Sequence, residues 1–163
     1  MSLVVSNTSP LTNLAVIGDF DLPRHLFGSI RIAEAVHDEL GAIGRDWPGK
    51  AEGSKDWADI HRVEMRQLVT SFDQDLDPGE SETIALGIEL RAPLVLMDEH
   101  DGRYRARRLA SRPMGVIGVL LLAKERGLIP EIRSRLDALR LEAGFWLSES
   151  VYQQAPTEAG EQP

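Results

Sequence analysis

The sequence predicts a single α/β domain, a three-layer α/β/α sandwich around a central and mainly parallel sheet. Short apolar segments alternate with segments whose apolar residues recur at helical spacing, which is typical of a parallel sheet covered on both faces. Pro93 to Met97 is a continuous apolar run, as expected of a strand buried on both sides. A length of 163 residues with 42% hydrophobic content suffices for one core. We expect one domain over residues 1–155 and a flexible acidic tail over 156–163.

The first half of the chain predicts two strands and three helices. Asn7 followed by Pro10 marks the start of the first helix, because a capping residue and an early proline both favour a helix N-terminus. Gly18, Gly28 and Gly41 mark the three helix ends. The predicted elements are a strand at 3–6, helices ending at 17 and spanning 22–27, a strand at 30–32 and a helix at 33–40.

The second half continues the alternation after a stretch rich in Gly, Asp, Lys and Pro at 41–54, which predicts an exposed loop. Asp77-Pro78-Gly79 predicts a turn that leads into a helix. The predicted elements are strands at 60–65, 93–97 and 113–116 and helices at 80–90, 103–109, 117–126, 131–141 and 145–154.

Composition narrows the function class. The absence of cysteine excludes disulfides and thiolate zinc sites and leaves hard oxygen ligands as the way to hold a metal. A net charge of −8 argues against non-specific coating of nucleic acid but leaves room for a local basic patch. The longest apolar stretch, Val116 to Ala123, is far shorter than the roughly 20 residues of a membrane span. We expect a cytoplasmic protein without a membrane segment.

Acidic and amide residues stand at the ends of the predicted elements. Asn7 and Asp98 directly follow apolar strands, and ligands of open parallel sheets bind outside the carboxyl ends of strands. Glu39 lies near the end of the helix after the second strand, and Glu80 lies in the first turn of a later helix. Magnesium sites draw a few carboxylates from different elements in this way, and two metals can cleave a phosphodiester. We therefore expect the four side chains to converge.

Each of these residues also has a simpler interpretation. Asn7 alone is an ordinary helix cap, and Glu39 alone is a solvated helix residue. Glu80 suits the positive end of a helix dipole, and Asp98 can belong to a helix-capping loop over residues 98–101. Their joint occurrence favours a functional site.

Four segments resemble the PIN domain family, in particular VapC-type toxins. They are Val-Val-Ser-Asn-Thr-Ser-Pro-Leu at 4–11, Ala-Val-His-Asp-Glu-Leu at 35–40, Asp-Pro-Gly-Glu-Ser-Glu-Thr-Ile-Ala-Leu at 77–86 and Leu-Val-Leu-Met-Asp-Glu at 94–99. The segments at 115–124 and 144–148 are similar to an uncharacterised PIN-like subgroup. The resemblance covers the chain from Val4 to about Tyr152.

The resemblance implies a metal-dependent ribonuclease, a hydrolase that uses Mg²⁺ or Mn²⁺, acts on RNA and is often controlled by an antitoxin. Position by position, the family's acids fall on Asn7, Glu39, Glu80 and Asp98, with Asp101 as an additional ligand. Glu39, Glu80 and Asp98 would be the catalytic carboxylates. Thr8 and Ser9 would hydrogen-bond ligand or water. Independently of the resemblance, the arginines that follow Asp98, Arg103 and Arg107 among them, favour contact with RNA phosphates, with a solvated helix face as the alternative. Exposed apolar side chains would bind an antitoxin or form a homodimer.

Asn7 departs from the family pattern, which more often has Asp at this position. An amide oxygen can ligate magnesium, but it brings no charge to a site whose affinity depends on charge. A PIN-fold module that binds RNA or protein without cleaving is therefore the alternative. A phosphatase or nucleotide-binding enzyme is disfavoured, because the first strand is followed by neither a glycine-rich phosphate loop nor Asp-x-Asp.

Overall fold

A five-stranded, entirely parallel sheet forms the centre of the fold, with strand order β3-β2-β1-β4-β5. The structure is a computed structural model that describes residues 3–42, 58–72, 75–98 and 112–162. Ser6 of β1 pairs with Leu96 of β4, so these two central strands end side by side. The strands are β1 (Val4–Ser6), β2 (Ile30–Ala33), β3 (Ala58–His61), β4 (Leu94–Leu96) and β5 (Arg112–Met114).

Helices cover both faces of this sheet. Among the described residues they are α1 (Thr8–Val16), α2 (Leu22–Phe27), α3 (Glu34–Ala42), α4 (Arg66–Phe72), α5 (Pro78–Glu89), α6 (Val116–Glu125), α7 (Arg133–Leu141) and α8 (Glu149–Glu158). The predicted α/β/α sandwich is confirmed, and its sheet is wholly parallel. None of the helices in the described ranges is long and apolar enough to cross a membrane.

Alternation along the strands divides the core between the two faces. In β1, Val4 packs in one cluster with α1, α2 and α6 to α8, whereas Val5 packs in the other cluster with α4 and α5. In and just after β4, Leu94 and Leu96 face the first cluster while Val95 and Met97 face the second. Successive strand side chains point to opposite faces, so continuous apolar strands hold two helical layers at once.

Three elements differ from the sequence prediction. Helix α4 was not predicted; its buried Val69 and Phe72 pack in the α4–α5 cluster, and this tertiary contact outweighs a weak local helix signal. Strand β3 pairs with β2 over 58–61 instead of the predicted 60–65, because residues 62–65 belong to the connection that leads into α4. The last helix begins four residues and ends four residues later than predicted, at Glu149 and Glu158.

Packing explains the longer C-terminal helix. Ala155 and Pro156 are buried, so the last turns of this helix pack against the rest of the protein although their sequence is polar. Beyond the helix, the Glu161 carboxylate accepts hydrogen bonds from the backbone N–H groups of Ile132 (2.7 Å) and Arg133 (3.4 Å) at the start of α7. The predicted helix at 103–109 and most of the predicted loop at 41–54 lie outside the described residues.

Candidate active site at the carboxyl edge of the sheet

Asn7 leaves the carboxyl end of β1 and occupies the N-cap position of α1. Its backbone is extended (φ −81°, ψ 176°), and its N–H donates to the Leu96 carbonyl at 2.8 Å, which continues the β1–β4 pairing by one residue. The side chain makes no capping hydrogen bond and is only 2% exposed. Asn7 thus has the position of a cap, but its side chain does not perform that role.

The Asn7 amide oxygen faces the buried hydroxyl of Thr83 in α5. Thr83 Oγ1 lies 3.4 Å from Asn7 Oδ1 and 2.6 Å from the Gly79 carbonyl oxygen. A hydroxyl has one proton, which the shorter contact takes. Thr83 therefore fixes the first turn of α5 and holds the Asn7 amide only through a long contact.

Glu39 joins three elements at this edge. One carboxylate oxygen accepts a short hydrogen bond from Thr8 Oγ1 at the start of α1, and the other accepts from the Gly79 N–H at 3.1 Å. A Cβ added to Gly79 would lie 2.6 Å from the Glu39 carboxyl carbon. Glycine at 79 is thus what allows the start of α5 to approach the carboxylate of α3.

Glu80 follows Gly79 on the first turn of α5 and is partly buried. The Asp77 side chain caps this helix by accepting from the Glu80 N–H at 2.8 Å, and Pro78 occupies the first turn. Asn7 and Glu39 are therefore linked through their neighbours Thr8, Gly79 and Thr83, and Glu80 directly follows Gly79 in the chain.

Glu82, two residues further along, has a structural task instead. Its oxygens accept from the Ala35 N–H and from Arg66 Nη1, both at 3.2 Å, and so tie α5 to α3 and α4.

Asp98 belongs to a second hydrogen-bonded group at the same edge. Its Oδ1 accepts from the Val116 N–H at 2.7 Å, at the start of α6, and its Oδ2 accepts from Asn13 Nδ2 at 3.2 Å. These bonds hold the carboxylate between α1 and α6. Asn7 and Asp98 follow neighbouring strands. Asn7 comes one residue after Ser6, Asp98 comes two residues after Leu96, and Ser6 and Leu96 are paired.

The donor chemistry at this edge fits a hard divalent cation, because carboxylate and amide oxygens are the ligands that Mg²⁺ and Mn²⁺ prefer. Each oxygen of Glu39 accepts one protein hydrogen bond and keeps a further lone pair. Within the described ranges, however, no three His, Cys, Asp or Glu residues are placed to hold one ion. Asp101, predicted as a further ligand, and Arg103 and Arg107, predicted to contact RNA, lie outside those ranges.

Sequence reasoning missed Gly79 and Asn13, which donate hydrogen bonds to Glu39 and Asp98, and Thr83, which lies 3.4 Å from the Asn7 amide oxygen. The signal for Thr83 was its position one helical turn after Gly79. The signal for Gly79 was a glycine directly before the acid in a proline-led helix start. No sequence signal connects Asn13 with Asp98, which lies 85 residues away.

The wholly parallel sheet makes this an α/β protein, and in proteins of this class ligands bind at the edge where the carboxyl ends of the strands lie. A model of the PIN domain family DUF3368 matches residues 3–161. That match spans almost the whole chain, and the chain belongs to the PIN domain family. PIN domains are typically nucleases and generally bind divalent metals. No curated protein matches the chain.

Proposed function

We propose that this PIN domain is a metal-dependent endoribonuclease that hydrolyses RNA phosphodiesters with Mg²⁺ or Mn²⁺. The observation that carries the proposal is the Glu39 carboxylate, held between Thr8 and Gly79 beside Asn7. A partly buried carboxylate that accepts hydrogen bonds from two different elements is held in one orientation, which is what a metal ligand requires.

The protein groups would have distinct roles. Glu39, Glu80 and Asp98 would supply negative charge to the ion, and the Asn7 amide would supply a neutral oxygen. Because no three acids in the described part of the chain are placed to hold one ion, these carboxylates would have to draw together around it. Thr8 would keep the Glu39 carboxylate oriented, and Asn13 would do the same for Asp98. The bound metal would supply Lewis-acid stabilisation of the phosphate and a water of lowered pKa. A neutral ligand at position 7 would leave the metal more weakly bound than an aspartate would.

A second candidate function is a PIN-fold module that binds RNA or protein and cleaves poorly. It is favoured by the neutral, nearly buried Asn7 and by Asp98, both of whose oxygens already accept protein hydrogen bonds. In this case the edge would be a structural remnant of a metal site.

We further propose that the protein is the toxin component of a toxin–antitoxin pair and forms a homodimer. Leu141 and Trp146 are each 84% exposed, which leaves apolar surface near the C-terminal helices for an antitoxin or a second copy. Leu147, by contrast, is buried and belongs to the core.

RNA cleavage with added Mn²⁺ tests the enzymatic proposal. Purified protein is expected to cut a single-stranded oligonucleotide, and Glu39→Gln or Asp98→Asn is expected to lower the rate by at least about 100-fold, because each removes charge from the ion. Glu34→Gln is the matched control, since Glu34 is exposed on the same helix as Glu39. Its rate should equal that of the unmodified protein.

Two results would contradict the enzymatic assignment. Equal cleavage by the unmodified protein and both site variants would place the chemistry elsewhere. Absence of cleavage, together with RNA binding that all variants retain, would favour the non-cleaving module.

A further inference from the structure

A cavity of about 280 Å³ opens beside Asp98, between strand β5 and the start of α6. Ligand clefts in proteins span roughly 300–1,000 Å³, so this cavity has room for one small ring system rather than for a chain segment. Its lining combines an aromatic ring, aliphatic side chains and two charged groups. The lining residues that matter here are Asp98, Arg112, Met114, Ile117, Gly118 and Phe145.

The apolar walls of the cavity are anchored in the core. Met114, Ile117 and Phe145 are each partly buried and pack against the larger hydrophobic cluster. Gly144, with φ +65°, turns the chain so that the Phe145 N–H donates to the Leu139 carbonyl at 2.9 Å. This hydrogen bond fixes the backbone of Phe145, and the side chain packs against the core.

Met114 closes one side of the cavity because position 118 is glycine. A Cβ at Gly118 would lie 2.7 Å from Met114 Cγ, so the methionine rests directly on the helix backbone. The glycines at 115 and 118 resemble a phosphate-binding pattern in sequence, but at 118 the missing side chain serves this packing.

The cavity lining contains one acidic and one basic side chain. Asp98 lines the cavity on one side and Arg112 on another. Arg112 and Met114 also line a second cavity of about 630 Å³. In a chain with a net charge of −8, Arg112 gives this part of the surface a local attraction for phosphate.

We propose that this cavity binds one nucleobase of single-stranded RNA, stacked on Phe145, with the neighbouring phosphate at Arg112. Bases of single strands are commonly recognised by stacking on aromatic side chains, and every base has a π-face. The inference deepens the proposed nuclease function: a base fixed beside Asp98 would set which phosphate of the strand lies at the metal edge.

RNA binding in EDTA tests the cavity separately from cleavage, because no metal is present. A fluorescently labelled oligoribonucleotide is compared with a series in which one nucleotide at a time is abasic. With the unmodified protein, one abasic position should weaken binding on the order of tenfold. In Phe145→Leu, which keeps an apolar side chain against the core, that position should lose its effect. Phe145→Tyr should retain it.

Trp146→Leu is the matched control, because Trp146 is the adjacent aromatic residue and is 84% exposed outside the cavity lining. It should keep the abasic profile of the unmodified protein. Three results would each overturn the cavity proposal. They are an abasic profile that is unchanged in Phe145→Leu, an abasic profile that is lost in Trp146→Leu, and no RNA binding by the unmodified protein. Because the abasic profile is measured in EDTA, it can persist even if no cleavage is found with Mn²⁺, so a failure of the nuclease proposal remains distinguishable from a failure of the cavity proposal.

Discussion

At the residue scale, the geometry of the candidate site depends on one close approach. Glu39 of α3 accepts hydrogen bonds from Thr8 of α1 and Gly79 of α5, and the hydrogen atom in place of a side chain at residue 79 makes room for the carboxylate. Three helices thereby meet at one side chain. The carboxylate is at once a packing element and the proposed metal ligand.

Replacement of Gly79 by alanine should be destabilising, although alanine is the better helix former. The added methyl group would displace the end of the Glu39 side chain and break its hydrogen bond to the backbone N–H, and loss of a hydrogen bond to a charged group costs about 1.5–3 kcal/mol. Gly41→Ala is the control, because Gly41 also lies in a helix and has open space around it. That change should leave stability unaltered or raise it by about 0.5–1 kcal/mol.

Urea denaturation of both variants measures these free energies of unfolding. Glu39→Ala combined with Gly79→Ala should cost less than the sum of the two single changes, because removal of the carboxylate relieves the overlap. Strict additivity, or a stable Gly79→Ala protein, would show that the approach of Glu39 to α5 is loose.

At the element scale, short strands position the site and capped helices close around it. The strands β1 and β4 have three residues each, so their ends, rather than their length, determine where Asn7 and Asp98 stand. Helix α5 begins where Asp77 accepts the Glu80 N–H, and this start places Gly79 and Glu80 at the edge.

Two aspartates at helix N-termini offer a matched comparison. Asp77 makes a side-chain capping bond to α5, whereas Asp21 at the start of α2 makes none. Asp77→Ala should therefore cost about 0.5–2 kcal/mol of stability, and Asp21→Ala should cost much less. Thermal unfolding followed by circular dichroism compares the two. Equal losses would show that the cap does not fix the start of α5.

The sequence predicted those elements whose signals are local. Proline and capping residues marked α1 and α5, and a continuous apolar run marked β4. It missed α4, whose seven residues contain no such signal and whose helical form depends on packing against α5. It misplaced β3 because Asp59 and Ile60 of this edge strand are both exposed, so the strand lacks the alternation of apolar and polar residues that burial of one face produces.

At the scale of the whole molecule, the parallel topology gathers residues that are distant in sequence. Asn7 and Asp98 could be assigned to one edge from the sequence, because the rule for parallel sheets depends only on where strands end. The contacts that orient the side chains could not, because they join residues 31, 40, 76 and 85 positions apart. Such pairings arise from tertiary packing and have no counterpart in local spacing.

The residue at position 7 should affect metal binding most directly, because it is Asn where the family more often has Asp and it is nearly buried. An aspartate there would place a charge at a site that is 2% exposed, which is costly unless a cation compensates it. Asparagine avoids that cost in the metal-free protein. The expected consequence is a protein that is stable without metal and binds metal weakly.

Calorimetric titration with Mn²⁺ tests the metal site most directly, applied to the unmodified protein, Asn7→Asp and Glu39→Gln. The unmodified protein should bind Mn²⁺, Asn7→Asp should bind it on the order of tenfold more tightly because it adds a charged ligand, and Glu39→Gln should bind it more weakly by a similar factor. No Mn²⁺ binding by any of the three proteins, or equal affinity in all three, would contradict a metal site at this edge of the sheet.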